Sequence, residues 1–319
     1  MKRRTAIATM ASIAVLPRAF AQAKPIRIIV PFAPGGSADI IPRTIAPFMS
    51  EFLKQPVIVE NLSGGGGSIG ASYVAKAAPD GLTLGVATVS THGIHPAVMK
   101  RAPYDPLRDF VPISNIARVP NVISVHPSVP AKDIKELIQL IQNPKSNLDY
   151  GSPGVGSLGH MMGELFKQST KGWMTHIPYR GGGPALADTV AGHVKVLCDN
   201  LPNSLPHIKA GKLKAMAVAW PTRTAQLPDV PTFAEAGLEV LNGPAWFGLV
   251  APKGTSPQLV QKLQQAVAAA LAQPLARARI EELGSVPLGS TSEEFANDLR
   301  KELAKWKEVA QVAKISLEA

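Results

Sequence analysis

Residues 26–39 read "IRIIVPFAPGGSAD". An apolar run, Ile26 to Val30, meets a Pro-Gly-Gly-Ser turn, and the stripe Ile41, Ile45, Phe48, Met49 and Phe52 follows at helical spacing. Run, glycine turn and stripe predict a strand feeding a helix in a parallel α/β unit. Glycine at that junction lets another group approach the backbone and leaves the first helical amides uncovered. Those amides and the helix dipole favour an anion.

The same junction recurs as Asn61 to Ser68, as Gly151 to Ser157 and as Tyr179 to Pro184. In an open α/β sheet, ligands bind outside the carboxyl ends of the strands, where these loops sit. Four such loops predict a cleft for an anion or carboxylate, rather than four unrelated tight turns. Strands are expected at 26–31, 56–60, 82–89, 121–126, 147–151, 174–179, 193–199, 213–220 and 245–251. Caps mark helix boundaries: Thr232 with Glu235 before a short helix closed by Gly237, Ser256 before Pro257, and Thr291 with Glu294. Pro47 should kink the first helix or end its first half. The fold class is α/β, with two lobes of parallel or mixed sheets. Chain crossings are expected near Pro120-Asn121 and near Asn242-Gly243-Pro244. The lobes are then 24–121 plus 247–319, and 122–246, with a cleft between them.

The first 23 residues read as an export signal: basic Lys2-Arg3-Arg4, apolar Thr5 to Leu16, then cleavage after Ala21 or Ala23. The run is shorter than the ~20 residues that span a bilayer. This predicts a periplasmic protein. The chain of 319 residues carries a formal charge of +10. Loss of a leader holding Lys2, Arg3, Arg4 and Arg18 and no acid lowers this to +6. The remaining charges are interspersed and aromatics are 5%, which argues against nucleic acid. The single cysteine, Cys198, lies in the apolar run Val196-Leu197-Cys198 and reads as a buried thiol.

Three motifs read as decoys. Gly154-x-Gly156-x-x-Gly159 opens a helix as a dinucleotide fingerprint would, but no acid ends the next strand. Gly66-Gly67-Ser68-Ile69-Gly70 matches a nucleophile elbow, but Ser68 follows four glycines and reads as a helix cap. His92-x-x-His95 lacks the companion ligands of a metal site. No cofactor or metal is expected. Asp39 and Arg43, at i and i+4, form a local ion pair unless Asp39 faces the cleft. Asp199, at a strand end, either caps a helix or lines the pocket.

The mature chain resembles the Bug-type periplasmic solute receptors of tripartite tricarboxylate transporters. The carriers are "IRIIVPFAPGGSADIIPR", "QPVIVENLSGGGGSIGASYVAKAAPDGLTLG", "LDYGSPGVGSLGHMMGELF", "HIPYRGGGPALADTVAGHV" and "DNLPNSLPHIKAGKLKAMAV". The resemblance implies a type II periplasmic binding fold closing on a small organic acid; such a receptor, expected to be a monomer, delivers the acid to membrane permease subunits. It implies a first-lobe pocket of Phe32, Gly36, Ser37, Ala38 and Asp39, with Ser90, Thr91 and His92. The second-lobe pocket would be Ser152, Gly154, Gly156, Ser157, His160, Tyr179 and Asp199. Pro42 stands where the family usually has Ala, and His95 where it usually has Asn. The alternatives are a secreted hydrolase using Ser68, and a receptor serving a membrane sensor.

Overall fold

The computed structural model describes residues 24–317; the export signal lies outside the described residues. The chain runs β1 (Ile26–Val30), α1 (Ser37–Leu53), β2 (Val57–Asn61), α2 (Ser68–Ala75), β3 (Thr83–Thr88), α3 (His95–Val98), β4 (Phe110–Val119) and β5 (Asn121–Val125). It continues α4 (Ile134–Gln142), β6 (Asp149–Ser152), α5 (Leu158–Thr170), β7 (Thr175–Pro178), α6 (Gly182–Val190), β8 (Val196–Asn200), α7 (Leu201–Lys209) and β9 (Lys214–Ala219). It ends β10 (Ala245–Pro252), α8 (Pro257–Ala272), α9 (Pro274–Glu282), β11 (Val286–Pro287) and α10 (Ser292–Val312).

Two mixed sheets result, ordered β11-β4-β10-β3-β1-β2 and β7-β6-β8-β5-β9. In the first, β1 pairs parallel with β2 and β3, while β10 runs antiparallel to β3 and β4. In the second, β6 pairs parallel with β7 and β8, while β5 is antiparallel to β8 and β9. Strands covered on both faces need continuous apolar runs, and Ile28 and Val30 are fully buried. Ile41, Ile45 and Met49 bring α1 onto this core. Burying each such side chain contributes roughly 1.5–3 kcal/mol. α10 covers the first sheet through Phe295, Leu299, Leu303 and Trp306.

Only Pro120 separates β4 from β5, so one extended run passes from the first sheet into the second. The chain returns at β10, where Ala245 and Trp246 already pair with Val119 and Arg118. Asn121 joins the two crossings: its Nδ2 donates to the Gly243 carbonyl at 2.8 Å, and its Oδ1 accepts from Asn200 Nδ2 at 2.6 Å.

Four local expectations are corrected. β4 was not foreseen, because Pro112, Ser114 and Asn115 interrupt its pattern; Pro112 is tolerated where the edge strand β11, pairing only Arg118 and Ala117, no longer covers β4. α1 does not end at Pro47, which stands inside a helix that continues to Leu53. Thr232 and Glu235 form their reciprocal capping bonds, yet the segment they open is a series of turns closed by Gly237 at φ +75°, not a helix. Ser68 is the first residue of α2 and Gly67 its N-cap, because a 3₁₀ turn over Gly65–Gly67 carries the chain into the helix.

Candidate functional site

The loop from β1 to α1 is shaped by Asp39. Its carboxylate accepts from the Gly35 amide at 3.1 Å, from Asn61 Nδ2 at 2.8 Å and from Arg43 Nε at 2.9 Å. Asn61 also donates to the Phe32 carbonyl at 2.9 Å. Asp39 is thus consumed in stapling the loop, and it is absent from the cavity wall. The staple presents Gly36, Ser37 and Ala38, the N-terminus of α1, to the space between the sheets. Among the described residues the amides of Ser37 and Ala38 have no acceptor. Ser37 is 3% exposed and its hydroxyl has no partner. Buried polar groups are rarely left unpaired without a reason.

Facing this turn is the N-terminus of α6. A Cβ placed on Gly36 would lie 3.5 Å from the amide nitrogens of both Gly182 and Gly183. Two helix N-termini carry like partial charge, so their approach favours an anion between them. A third N-terminus, that of α5, contributes Leu158 and Gly159. Its Leu158 amide donates to Ser90 Oγ at 3.0 Å, a bond from one sheet's helix to the other sheet's loop.

Ser90 sits on a π-helical turn, Val89–Ile94, a form frequent at functional sites. Thr88 and Thr91 close it reciprocally: the Thr91 amide donates to Thr88 Oγ1 at 3.2 Å, and the Thr88 amide to Thr91 Oγ1 at 3.1 Å. Thr91 Oγ1 also meets His92 Nδ1 at 2.9 Å, and the His92 ring packs 4.7 Å from Phe110. Thr91 and His92 therefore support the turn from behind. Burial drives the His92 imidazole down to about 3, and neighbouring His95 adds to the shift. His95, pushed down to about 4 by burial, packs against Gly156 across the cleft.

In the second sheet, Ser152 Oγ meets His176 Nε2 at 2.7 Å and accepts from the Gly154 amide at 3.2 Å. Ser157 caps α5, accepting from the His160 amide at 3.2 Å. His160 Nδ1 accepts from the Gly156 amide at 3.1 Å, and its ring stacks 4.1 Å from His176. Gly154 packs on Gly66 of the first sheet. The Tyr179 hydroxyl donates to Asp188 at 2.6 Å. These residues build the loops around the cavity without lining it.

Of the residues named from the sequence, the cavity gathers Phe32, Gly36, Ser37, Ala38, Ser90 and Asp199. It adds an apolar wall of Val89, Leu158, Met162, Trp246 and Phe247, and the polar side chains of Thr88, Asn121 and Asn200. The crossing strands carry Asn121, Trp246 and Phe247, so the expected crossings were the signal for them. Leu158 and Met162 read as a core stripe, which looks the same as a cavity wall. Its volume, counted as the space open to the centre of a water-sized sphere, is about 40 Å³. That is several times the roughly 10–15 Å³ a single water needs. The lining includes no Lys, Arg or His. Asp199 is the acid in the wall; burial raises its carboxyl to about 6, moderated by hydrogen bonds from Asn203, the Asn200 backbone and Ser204.

Among the described residues no cluster of three or more metal-ligating side chains occurs. No described hydrogen bond joins Ser68 to a histidine or an acid. No helix among the described residues is long and apolar enough to cross a membrane.

The chain is 34% identical over 285 residues to the protein BugT of Bordetella pertussis, covering 89% of this chain and 87% of that one. It superposes on an R. palustris protein solved with adipate at a TM-score of 0.87, with 37% identity over 92% of this chain and 98% of the other. It superposes on MatC of Rhodopseudomonas palustris with bound malate at 0.86, with 36% identity over 89% and 98%. Residues 41–315 match the family model for the tripartite tricarboxylate transporter family receptor, and the chain belongs to that family.

Proposed function

We propose that this chain captures a small carboxylate between its two lobes, 24–121 plus 247–319 and 122–246, and delivers it to the membrane permease subunits of a tripartite tricarboxylate transporter. It would act in the periplasm as a monomer, exported by its N-terminal signal. The observation that carries this reading is the opposition of the α1 and α6 N-termini around a buried, unpartnered Ser37 hydroxyl, with no cationic side chain in the wall. A carboxylate held there would accept charge-assisted hydrogen bonds from preorganised amides. Lobe closure would exclude water. The adipate and malate found in two relatives are the same chemical class. The family's members are solute-binding receptors and not enzymes, which removes the hydrolase reading of Ser68.

A thermal-shift screen tests the ligand class. The protein is unfolded and refolded to strip any ligand, then screened against mono-, di- and tricarboxylates, aromatic acids and acidic amino acids. Ligand at a hundredfold its dissociation constant stabilises by about 2.7 kcal/mol, a rise of a few degrees for this size. No shift with any of them would overturn the reading.

A further inference from the structure

We infer that Asp199 reads a hydrogen-bond donor on the ligand, so that the cleft selects a small carboxylate that also carries a hydroxyl or ammonium group. The inference rests on the carboxylate reading above and narrows it. Asp199 stands at the end of β8, 4% exposed, in the cavity wall. Its Oδ2 is held from α7 by Asn203 Nδ2 and, at 3.5 Å, by Ser204 Oγ. Its Oδ1 is turned toward the N-terminus of α6, 2.8 Å from where a Cβ on Gly182 would stand. The Asn200 backbone also bonds the carboxylate, so the side chain is held in place in the cavity wall.

The chemistry around it is lopsided. The α1 side offers two uncovered amide donors and the Ser37 hydroxyl, which can donate as well. Asp199 offers only acceptors when ionised. A bare carboxylate entering the cavity brings a second negative charge to a buried one, with no cationic side chain in the wall to separate them. A ligand with a donor beside its carboxylate resolves this, its anionic end on the α1 amides and its donor on Asp199. A site built around a ligand hydrogen bond rejects the analogue lacking it, because the protein group is left unpaired.

The test is calorimetry on the refolded, ligand-free chain with matched series: propionate, lactate and alanine; succinate, malate and aspartate; glutarate, 2-hydroxyglutarate and glutamate. The tightest binder should carry the donor and exceed its donor-less partner at least tenfold. Asp199→Asn should cost that binder at least tenfold more affinity than it costs the donor-less partner. If Asp199→Asn does not fold, discrimination by the unaltered protein decides. Equal binding within each series, or equal losses in Asp199→Asn, overturns the inference while the carboxylate reading stands. Donor-less acids that bind best, tightening tenfold per unit as pH falls, would make Asp199 the donor and overturn it too. If no member of any series binds, the carboxylate reading falls and this inference with it.

Discussion

The Ala33 amide donates to the Arg180 carbonyl at 2.9 Å, joining the loop that opens α1 to the loop that opens α6. With the bond from the Leu158 amide to Ser90 Oγ, it ties together helices that belong to different sheets. Removing a partner from either bond should therefore act on closure more than on folding.

Ser90→Ala leaves the Leu158 amide buried without its acceptor. A lost hydrogen bond of this kind costs about 1 kcal/mol, and here the closed form bears it. Ligand affinity measured by calorimetry should fall about fivefold, with the melting temperature of the ligand-free protein nearly unchanged. Unaltered affinity would show that this bond contributes nothing to closure.

Gly66 has a φ of +60°, and a Cβ there would collide with the Val155 carbonyl of the opposite loop. Gly66→Ala should hold the cleft open. Affinity should drop at least a hundredfold, and the radius of gyration in small-angle scattering should stay at its ligand-free value when ligand is added. Contraction equal to that of the unaltered protein would refute the collision.

Acid should destabilise the protein through its buried histidines. His92 and His95 titrate at about 3 and about 4 when folded, below the ordinary 6.5. Below 6.5 the unfolded chain therefore binds more protons, and stability falls as pH drops from 6.5 toward 4. Asp199 has the opposite sign: raised from 3.8 to about 6, it takes up its proton first in the folded chain, so its contribution grows as pH falls from 6 to 3.8. Thermal melts from pH 7 to 4 should show a shallower decline for His95→Asn than for the unaltered chain, and a steeper one for Asp199→Asn. Parallel curves would contradict the assignments.

Cys198 is fully buried in β8, between β5 and β6, and burial pushes its thiol well above the ordinary range. It should resist a thiol reagent in the folded protein and react stoichiometrically after denaturation. Rapid reaction of the native chain would place it elsewhere.

Much of the α/β framework was legible because its signals are local. The run Ile26 to Val30, the glycine turn and the stripe of α1 lie within 28 consecutive residues, 26–53. β4 was not legible, since the hydrogen bonds that hold its polar stretch come from far along the chain. Ser114 Oγ donates to the Ser290 carbonyl at 2.7 Å, and the Asn115 amide to Ser290 Oγ at 2.9 Å. In the site, Gly36, Ser37 and Ala38 were readable as a helix N-terminus behind glycine. Whether Asp39 faced ligand or loop depended on Asn61, which arrives from β2 and cannot be paired with it by spacing. Thr91, His92 and His160 belong to pocket loops in sequence, and bonds within those loops, Thr91 to Thr88 and the Gly156 amide to His160, hold them outside the cavity wall.

The direct measurement is a calorimetric titration of the refolded, ligand-free protein with the carboxylate panel, alongside Gly36→Val. The Gly36 backbone, at φ −90°, accepts any residue, and a Cβ fits 3.5 Å from the Gly182 and Gly183 amides. The methyls beyond it would fill the gap where the anion is to sit. One-to-one binding of at least one carboxylate by the unaltered chain is expected, lost in a Gly36→Val protein that still melts within a few degrees of it. Equal affinity in both proteins, or no binding of any carboxylate to the folded chain, would contradict a carboxylate cradle between α1 and α6.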